Sequence, residues 1–329
     1  MNTVDIAIPT HNRAAELALT LEGLTRLTQP EGIDWRIIVV ANNCTDHTPH
    51  VVEQFADRLG TRLVCEVERR PGLCHARNAA IRLSQADVIA FLDDDVDVEP
   101  YWLQALCQAF REEACDAVGG RAELRFPDAR PNWIGITEES LLSRVDRGPV
   151  RRICSPDEIC GLNLAIKRCW FEKIGCFRIE LGRVGTSLIS GDETDVLRRI
   201  AAAGGKLIYE PAAFLWHRIP PSRLHKQWFL QRHYWGVRST LRIAPMSRPQ
   251  AAVCAIRGGM AYGKGWASLA WRACRNGLSS DVIYQRQRWI AEARAEVDEA
   301  LHTLFASGFR DLEPLPEPSP RPSPIGIGP

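Results

Sequence analysis

Acidic side chains are concentrated at the end of one apolar run in this chain. In the stretch ADVIAFLDDDVDVEP, residues 88–92 are apolar, and Asp93, Asp94 and Asp95 follow them directly. Neighbouring carboxylates repel one another, and the repulsion grows where water is excluded. A hard divalent cation such as Mg2+ or Mn2+ relieves it, because these ions take oxygen ligands and bind phosphates. The stretch therefore predicts either a solvated acidic turn or a divalent metal site.

A second acidic group opens a predicted helix. In the stretch SGDETDVLRRI, Asp192 and Glu193 directly follow Gly191. The positive end of the helix dipole favours carboxylates at this place, so the two acids can simply cap the helix. Alternatively, one of them is a general base that takes a proton from a hydroxyl, a role that contributes roughly 10²–10⁴-fold in rate.

One histidine and two arginines add to these groups. His217 follows a predicted strand, and imidazole is an acceptable ligand for Mn2+, although a lone histidine is more often structural. Arg13 follows the first predicted strand, and Arg77 lies at the start of a predicted helix. Their guanidinium forks suit a diphosphate. The sequence contains neither a G-x-x-x-x-G-K-[ST] loop nor a G-x-G-x-x-G loop, which excludes the two common nucleotide cradles built on those motifs.

Strands and helices alternate along the first half of the chain and would position these groups. Short β-branched runs predict strands over 4–9, 35–42, 62–68 and 87–93. Helical spacing of apolar residues predicts helices over 14–27, 49–59, 74–85 and 100–113. This alternation is typical of a mainly parallel sheet covered by helices on both faces, with its ligand crevice beyond the carboxyl ends of the strands.

The second half is less regular. Residues 161–175 are interpreted as a turn and a helix, and residues 191–205 as a helix closed by two glycines. A strand is expected over 206–211, followed by the segment AAFLWHR. From about residue 220 onward, long helical patterns rich in Arg and Trp continue to a Pro-rich tail, which we expect to be disordered.

The bulk composition is ordinary for a globular protein. The chain has 329 residues, 45% of them hydrophobic and 25% charged, with a formal net charge of +1. Its 11 cysteines contain no C-x-x-C pair, which favours reduced thiols and a cytoplasmic setting. No apolar run approaches the ~20 residues that span a bilayer, and we expect no cleaved signal peptide.

In their order along the chain, these motifs resemble the inverting family 2 glycosyltransferases of the GT-A fold. The resemblance is carried by IPTHNR, VVANNCTDHT, RPGLCHARNAAI, FLDDDV, GLNLAIKR, GDETDVLRR and YEPAAFLWH, and it runs from about Val4 to His217. It implies a metal-dependent transfer of a sugar from a nucleoside-diphosphate sugar, with a UDP-sugar as the expected donor, to a hydroxyl acceptor. The expected acceptor is a carbohydrate or a lipid-linked molecule of cell-surface polysaccharide or glycolipid synthesis.

The resemblance also implies roles for individual residues. A first group would lie along the donor, with Asp93 at the ribose: Pro9, Thr10, Arg13, Asn42, Asn43, Asp46, Arg77, Asn78, Asp93 and Asp94. The Mn2+ or Mg2+ ion would be held by Asp95 and His217, and Gly161 and Asn163 would lie in the region facing the acceptor.

Two positions depart from the family pattern. Ala41 replaces an aspartate that contacts uracil in the family, so base recognition would pass to Asn42 or Asn43. The catalytic pair reads Asp192-Glu193 rather than Glu-Asp, which leaves the identity of the base open, with Glu193 favoured.

The predicted organisation is a GT-A catalytic domain over 1–217, a basic, Trp-containing helical extension over 218–310 and a disordered tail over 311–329. No Asp or Glu occurs between His217 and Ser280, a span that carries 11 Arg and Lys residues. Two interpretations stay open: either these helices dock on the inner face of the cytoplasmic membrane, or they pack on the catalytic domain. Nucleic-acid binding is not expected. The alternative functions are a nucleotidyltransferase and a non-catalytic GT-A-fold binding protein.

Overall fold

The computed structural model describes residues 1–276 and 280–305. Its strands are β1 (Thr3–Thr10), β2 (Asp34–Asn42), β3 (Leu63–Glu68), β4 (Val88–Leu92), β5 (Val96–Val98), β6 (Ala117–Arg125), β7 (Arg152–Ile153), β8 (Asn163–Lys167) and β9 (Leu207–Arg218). Its helices are α1 (Ala14–Leu24), α2 (Thr48–Leu59), α3 (Leu73–Leu83), α4 (Trp102–Glu113), α5 (Ile136–Leu141), α6 (Cys169–Ile174), α7 (Asp192–Ala202), α8 (Lys226–Ile243), α9 (Arg248–Asn276) and α10 (Ser280–Phe305). The strands and helices predicted over the first 113 residues are confirmed.

Strand β2 shows why a central strand of the sheet is a continuous apolar run in the sequence. Successive side chains of a strand point to opposite faces. Ile37 and Val39 pack in one core with α1, α2 and α4, whereas Ile38 and Val40 pack in a second core with α3, α6 and α7. Because both faces are covered by helices, the strand has no solvent side and needs no polar alternation.

Within the described residues the strands form one mixed sheet in the order β3-β2-β1-β4-β8-β6-β9-β5, with β7 on β9. Strands β1 to β4 are parallel to one another. Strand β8 is antiparallel to β4, with Leu92 opposite Asn163. The carboxyl ends of the first four strands and the amino end of β8 therefore meet at the same edge.

The interpretation of residues 161–168 as part of a turn and helix is wrong, because Asn163–Lys167 form strand β8 and α6 begins at Cys169. The run NLAIK is too short for periodicity to separate a buried strand from a helix. The expected strand over 206–211 and the segment after it are also one strand, β9. Its pairing with β6 shifts between Gly120 and Arg121, where β9 carries a bulge that accommodates Pro211.

The chain divides into two compact units. Among the described residues, the first unit comprises Met1–Glu180 and Glu193–Ile219 and contains the sheet. The second comprises Leu181–Asp192 and the described residues from Pro220 to Phe305, with helices α8, α9 and α10. The division falls between Ile219 and Pro220, two residues beyond the predicted domain boundary. The predicted tail over 311–329 lies outside the described residues, and the roles assigned to the domains stay predictions.

In the second unit, α9 and α10 approach each other closely. A Cβ atom added at Gly265 would lie 2.6 Å from Ile290, and one added at Gly258 would lie 3.0 Å from Val297. Glycine thus lets the two helices touch at these positions, and a larger residue would require side chains of α10 to shift. Among the described helices, none is both long enough and apolar enough to cross a membrane.

Candidate active site

The acidic turn lies at the edge of the sheet where the parallel strands end. Strand β4 ends at Leu92 and the three aspartates follow, while β1 ends nearby at Thr10. Residues Val96–Val98 then form β5, which runs antiparallel to the last residues of β9 and places Val96 opposite His217. The pairing of the two strands thus places Asp95 and His217 close together through the backbone alone.

Two residues that the sequence did not single out for the site hold the backbone of this turn. The buried hydroxyl of Thr20, on α1, lies 2.7 Å from the carbonyl oxygen of Asp94 and accepts from the amide of Val96 at 3.2 Å. The guanidinium of Arg218 donates to the carbonyl oxygens of Val96 (2.8 Å) and Asp94 (3.3 Å), and it forms an ion pair with Asp97. The only sequence signal for Arg218 is its place next to His217, at the start of the predicted basic extension.

Asp94 faces Thr10 and Arg13. The Thr10 hydroxyl donates to Oδ2 at 2.7 Å, and Arg13 Nη1 donates to Oδ1 at 2.8 Å. Burial raises the pKa of Asp94, Arg13 opposes this, and the neighbouring Asp95 adds to the rise. The pKa of Arg13 is itself raised: burial acts to lower it, but the attraction of Asp95 and Asp94 is stronger. Three predicted donor-site residues are therefore joined in one polar cluster.

Asp95 and His217 form a buried pair. Oδ2 of Asp95 lies 3.4 Å from Nε2 of His217 and 3.0 Å from Nη1 of Arg13, and both the carboxylate and the imidazole side chains are 2% exposed. The other ring nitrogen, Nδ1, lies 2.8 Å from the carbonyl oxygen of Leu142, which can only accept, so Nδ1 carries a proton. With its proton on Nδ1, a neutral ring would present the lone pair of Nε2 to a metal ion held beside Asp95.

This donor set fits a divalent cation that takes further ligands from elsewhere. A carboxylate oxygen and an imidazole nitrogen are both accepted by Mn2+. In the described part of the chain, no cluster of three or more His, Cys, Asp or Glu side chains is placed to hold a metal alone. A metal at Asp95 and His217 would thus require oxygen ligands from a bound phosphate or from water.

A second group of side chains adjoins the turn. Nη2 of Arg77 lies 3.5 Å from Oδ1 of Asp93 and donates to the carbonyl oxygen of Gly161 at 3.3 Å. The amide of Gly161 donates to Oε1 of Glu193 at 3.4 Å. A Cβ atom at Gly161 would lie 2.8 Å from Arg77 Nη2, so only glycine allows this approach. The structure therefore brings Asp93, Arg77, Gly161 and Glu193 together.

The two candidate bases differ in their surroundings. Asp192 is the first residue of α7, is 1% exposed and belongs to the second compact unit. Glu193 is half-buried and belongs to the first unit, with the acidic turn. A base must reach the hydroxyl that it deprotonates, and the more accessible carboxylate meets this requirement better. Which acid is the base stays a prediction.

The side-chain amides of Asn42 and Asn78, two of the predicted site residues, form hydrogen bonds within the fold. Asn42 donates to the carbonyls of Glu68 and Arg70 and accepts from Gly72, so it closes the β3–α3 loop. Asn78 exchanges two hydrogen bonds with the backbone of Phe177. Asn42 thus uses both of its amide N–H donors within the fold, and Asn78 uses one donor and one acceptor site.

The side-chain amide of Asn163, a third predicted site residue, also forms hydrogen bonds within the fold. Its amide accepts from the indole of Trp102 at 2.9 Å and donates to the carbonyls of Arg121 and Ala213 at 2.9 and 2.8 Å. With 1% exposure, its side chain fixes β8 between its neighbours, and its predicted place in the acceptor region stays a prediction. Gly161, two residues earlier, keeps its place beside Glu193.

The remaining predicted donor contacts lie at the ends of β1 and β2. Asp46 accepts from the amides of Ala14 and Thr48 and thereby caps both α1 and α2. Burial acts to raise the pKa of Asp46, but the hydrogen bonds from Thr48 and Ala14 hold it below its usual value. Pro9 is buried at the end of β1, and Asn43 is exposed with φ of 51°. If base recognition passes from Ala41 to a neighbouring side chain, Asn43 is the one available.

Known proteins with related sequences and structures match this arrangement. The chain is 27% identical over 233 residues to the succinoglycan biosynthesis protein ExoM of Rhizobium meliloti (strain 1021), covering 70% of this chain and 72% of that protein. It is 26% identical over 218 residues to the glucosyl-dolichyl phosphate glucuronosyltransferase of Haloferax volcanii, covering 66% and 69% respectively.

Two solved structures share the fold. The mannosyltransferase PcManGT from Pyrobaculum calidifontis, in complex with GDP-Man and Mn2+, superposes with a TM-score of 0.58 at 21% identity, over 93% of this chain and 88% of that one. GalNAc-T7 with UDP, GalNAc and Mn2+ gives a TM-score of 0.54 at 17% identity, over 74% and 51%.

The sheet and its helices have the GT-A fold, as predicted. The chain belongs to glycosyl transferase family 2, because the model of that family matches residues 5–175, more than half of its length. The two alternatives, a nucleotidyltransferase and a non-catalytic binding protein, are therefore not retained.

Proposed function

We propose that this glycosyltransferase moves a sugar from a nucleoside-diphosphate sugar to a hydroxyl acceptor, with inversion of the anomeric carbon and with a divalent cation bound at Asp95 and His217. The observation that carries the proposal is the single strand-end edge on which an acidic turn, a buried imidazole, a guanidinium and an accessible carboxylate converge. Each group has a separate task in such a transfer.

Asp95 and His217 are the residues that would hold Mn2+ or Mg2+. When bound, the ion supplies charge stabilisation for the diphosphate that leaves in the reaction. Arg13 and Arg77 add fixed positive charge on the same side: Arg13 contacts Asp94 and Asp95, and Arg77 contacts Asp93. Positive groups fixed before the reaction favour the transition state because they need no reorganisation as negative charge grows.

Glu193 takes the proton from the acceptor hydroxyl in this proposal. Its Oε1 is hydrogen-bonded to the amide of Gly161, whose carbonyl in turn binds Arg77. This chain of contacts fixes the base relative to the guanidinium that faces Asp93. A single base and a single displacement lead to inversion, because the acceptor attacks the face opposite the leaving group.

The donor and acceptor are proposed by class. A UDP-sugar is the first donor to test, and a GDP-sugar is the second, since Ala41 offers no carboxylate to a uracil ring and a structural neighbour binds GDP-Man. The acceptor is a carbohydrate or a lipid-linked sugar. This choice is supported by relatives named for succinoglycan biosynthesis and for glucosyl-dolichyl phosphate modification.

The direct test is a panel of UDP-, GDP- and dTDP-sugars incubated with the full chain and Mn2+. We expect nucleoside diphosphate to be released from one donor class, and excess EDTA to stop the release. The anomeric configuration of the sugar first released onto water, read by NMR before mutarotation, reports inversion. Release that is unchanged in EDTA would contradict the metal site, and retention would contradict the single-base mechanism.

A further inference from the structure

Helix α9 is basic along its whole length and has no acidic residue. Its 29 residues include Arg248, Arg257, Lys264, Arg272 and Arg275, and neither Asp nor Glu. One side of the helix carries Ala251, Gly258 and Gly265 at seven-residue spacing, all buried, and the two glycines touch α10. The opposite side of α9 therefore faces away from α10.

That opposite side is apolar and exposed. Val253, Ile256, Met260 and Trp271 are 56%, 64%, 56% and 55% exposed. At 3.6 residues per turn these four positions fall within an arc of about 60°. Val253, Ile256 and Met260 lie close together on this face, and Trp271 lies on it about three turns further along, beyond Lys264 and Ala267. We call these four residues the α9 stripe. Exposed apolar patches of this kind mark interaction sites rather than ordinary protein surface.

Two cations lie along one side of the stripe. Arg257 and Lys264 are exposed, and each lies within about 40° of a member of the stripe around the helix. The basic residues of α8 behave differently. Arg238 and Arg242 both form ion pairs with Glu299 of α10, at 2.7 and 2.8 Å, and are thus held in contacts inside the unit. The basic character noted in the sequence therefore divides into a structural part on α8 and an exposed part on α9.

The positive charge of α9 distinguishes between the partners that could bind the stripe. A second copy of the chain docked through the same face would bring together two basic helices that have no acidic residue, and the like charges would repel. A nucleic acid would use the cations but has no need of Val, Ile and Met side chains. An anionic bilayer matches both features, because the headgroups neutralise the cations while the apolar side chains enter the acyl boundary.

We propose that the α9 stripe, with Arg257 and Lys264, docks the protein on an anionic lipid surface, with α9 lying in the plane of the interface. The proposal is independent of the sugar-transfer chemistry, since none of these residues belongs to the candidate active site. The readout is vesicle binding, so its failure leaves the proposed transfer untouched.

The experiment is co-sedimentation of the full chain with phosphatidylcholine vesicles that contain about one third phosphatidylglycerol. We expect binding to these vesicles and none to pure phosphatidylcholine. The double variant Arg257→Gln/Lys264→Gln is expected to lower the partition coefficient roughly 30-fold, because each cation near anionic lipid contributes about fivefold. The triple variant Val253→Ser/Ile256→Ser/Met260→Ser is expected to lower it at least roughly tenfold.

Matched controls separate the stripe from general surface properties. Leu301→Ser removes an apolar side chain on α10 that is 41% exposed, and Arg69→Gln/Arg198→Gln removes two exposed cations of the first unit. Both controls are expected to bind vesicles like the parent chain, and circular dichroism checks that every variant is folded. Equal binding by the stripe variants and the controls would overturn the proposal. Concentration-dependent dimerisation through the stripe without vesicle binding would also overturn it.

Discussion

Oδ2 of Asp95 and Nε2 of His217 lie 3.4 Å apart because β5 pairs with the last residues of β9. The two residues are distant in sequence, and neither side chain reaches far to meet the other. A ladder of two short strands brings them together, and the carbonyl of Leu142 orients the imidazole. Their relative position is thus determined by the backbone of the fold.

Replacement of His217 by alanine tests this pair as a metal site. We expect the affinity for Mn2+ in the presence of a nucleoside diphosphate, measured by electron paramagnetic resonance, to fall by at least roughly tenfold. Donor turnover should fall with it. The exposed His225 provides the control, since His225→Ala leaves the pair intact. Unchanged Mn2+ affinity in His217→Ala would exclude the imidazole as a ligand.

Replacement of each candidate base by its amide separates Glu193 from Asp192. We expect Glu193→Gln to lower kcat roughly 10²–10⁴-fold with little change in donor affinity, because a general base acts on the acceptor in the transition state. Asp192→Asn should cost less in kcat. Kinetics together with thermal-shift titration of the donor make the distinction, and the reverse pattern would assign the base to Asp192.

Replacement of Gly161 by alanine tests the contact between the turn that precedes β8 and Arg77. The new Cβ atom would lie 2.8 Å from the guanidinium, which must move away from Asp93 and the Gly161 carbonyl. We expect donor affinity to fall on the order of tenfold, the size of a lost hydrogen bond to a charged group. Calorimetric titration of the donor measures it.

The matched control for this change is Gly236→Ala in α8, where an added Cβ meets nothing within 4 Å. It should raise the free energy of unfolding by about 0.5–1 kcal/mol, as alanine is preferred to glycine inside a helix. Equal donor affinity in Gly161→Ala and the parent chain would show that the guanidinium position is unimportant.

Replacement of Thr20 by valine tests how the acidic turn is held. The hydroxyl is fully buried and hydrogen-bonds the backbone at Asp94 and Val96. We expect the free energy of unfolding to fall by about 1–3 kcal/mol, since buried backbone groups lose their partner. Urea denaturation measures it. Thr25→Val, at a partly exposed helix end, should change stability by less than about 0.5 kcal/mol.

The ion pair of Glu68 predicts a pH dependence of stability. The side-chain hydrogen bond from Arg70 lowers the pKa of Glu68 to about 2; burial opposes this, and the charges of Arg70 and Arg82 add to it. Because the folded pKa lies below the unfolded value, the stabilisation is present above about pH 4.3 and is lost as pH falls toward 2. We expect Glu68→Gln to flatten the unfolding free energy across this range, measured by urea denaturation. Parallel curves for variant and parent would contradict the assignment.

The sequence predicted much of the sheet because strands and helices alternate there with clear periods. It also placed the acidic turn at a strand end, which the structure confirms. It could not identify β8, whose run NLAIK has no period long enough to distinguish a strand from a helix. Nor could it foresee that the side chain of Asn163 would be consumed by Trp102 and two carbonyls, because those partners come from distant segments.

The basic C-terminal region also has features that could not be predicted from the sequence. Its arginines are equivalent in sequence, yet Arg238 pairs with Glu299 while Arg257 faces outward. The difference arises from which face of each helix meets α10, and composition contains no information on that. Likewise, the sequence shows Arg218 only as one more cation of the basic region. The pairing of β5 with β9 places its guanidinium against the backbone carbonyl oxygens of the acidic turn.

The amide of Arg218 donates to the carbonyl oxygen of Asp95 at 2.9 Å, directly beside the imidazole of His217. Deuterium can enter this amide only when the end of β9 separates from the acidic turn. Its exchange rate consequently measures how often the pair formed by Asp95 and His217 comes apart, with no substrate and no turnover. Mass spectrometry of a single short peptide could follow that opening as Mn2+ and each nucleotide are added in turn.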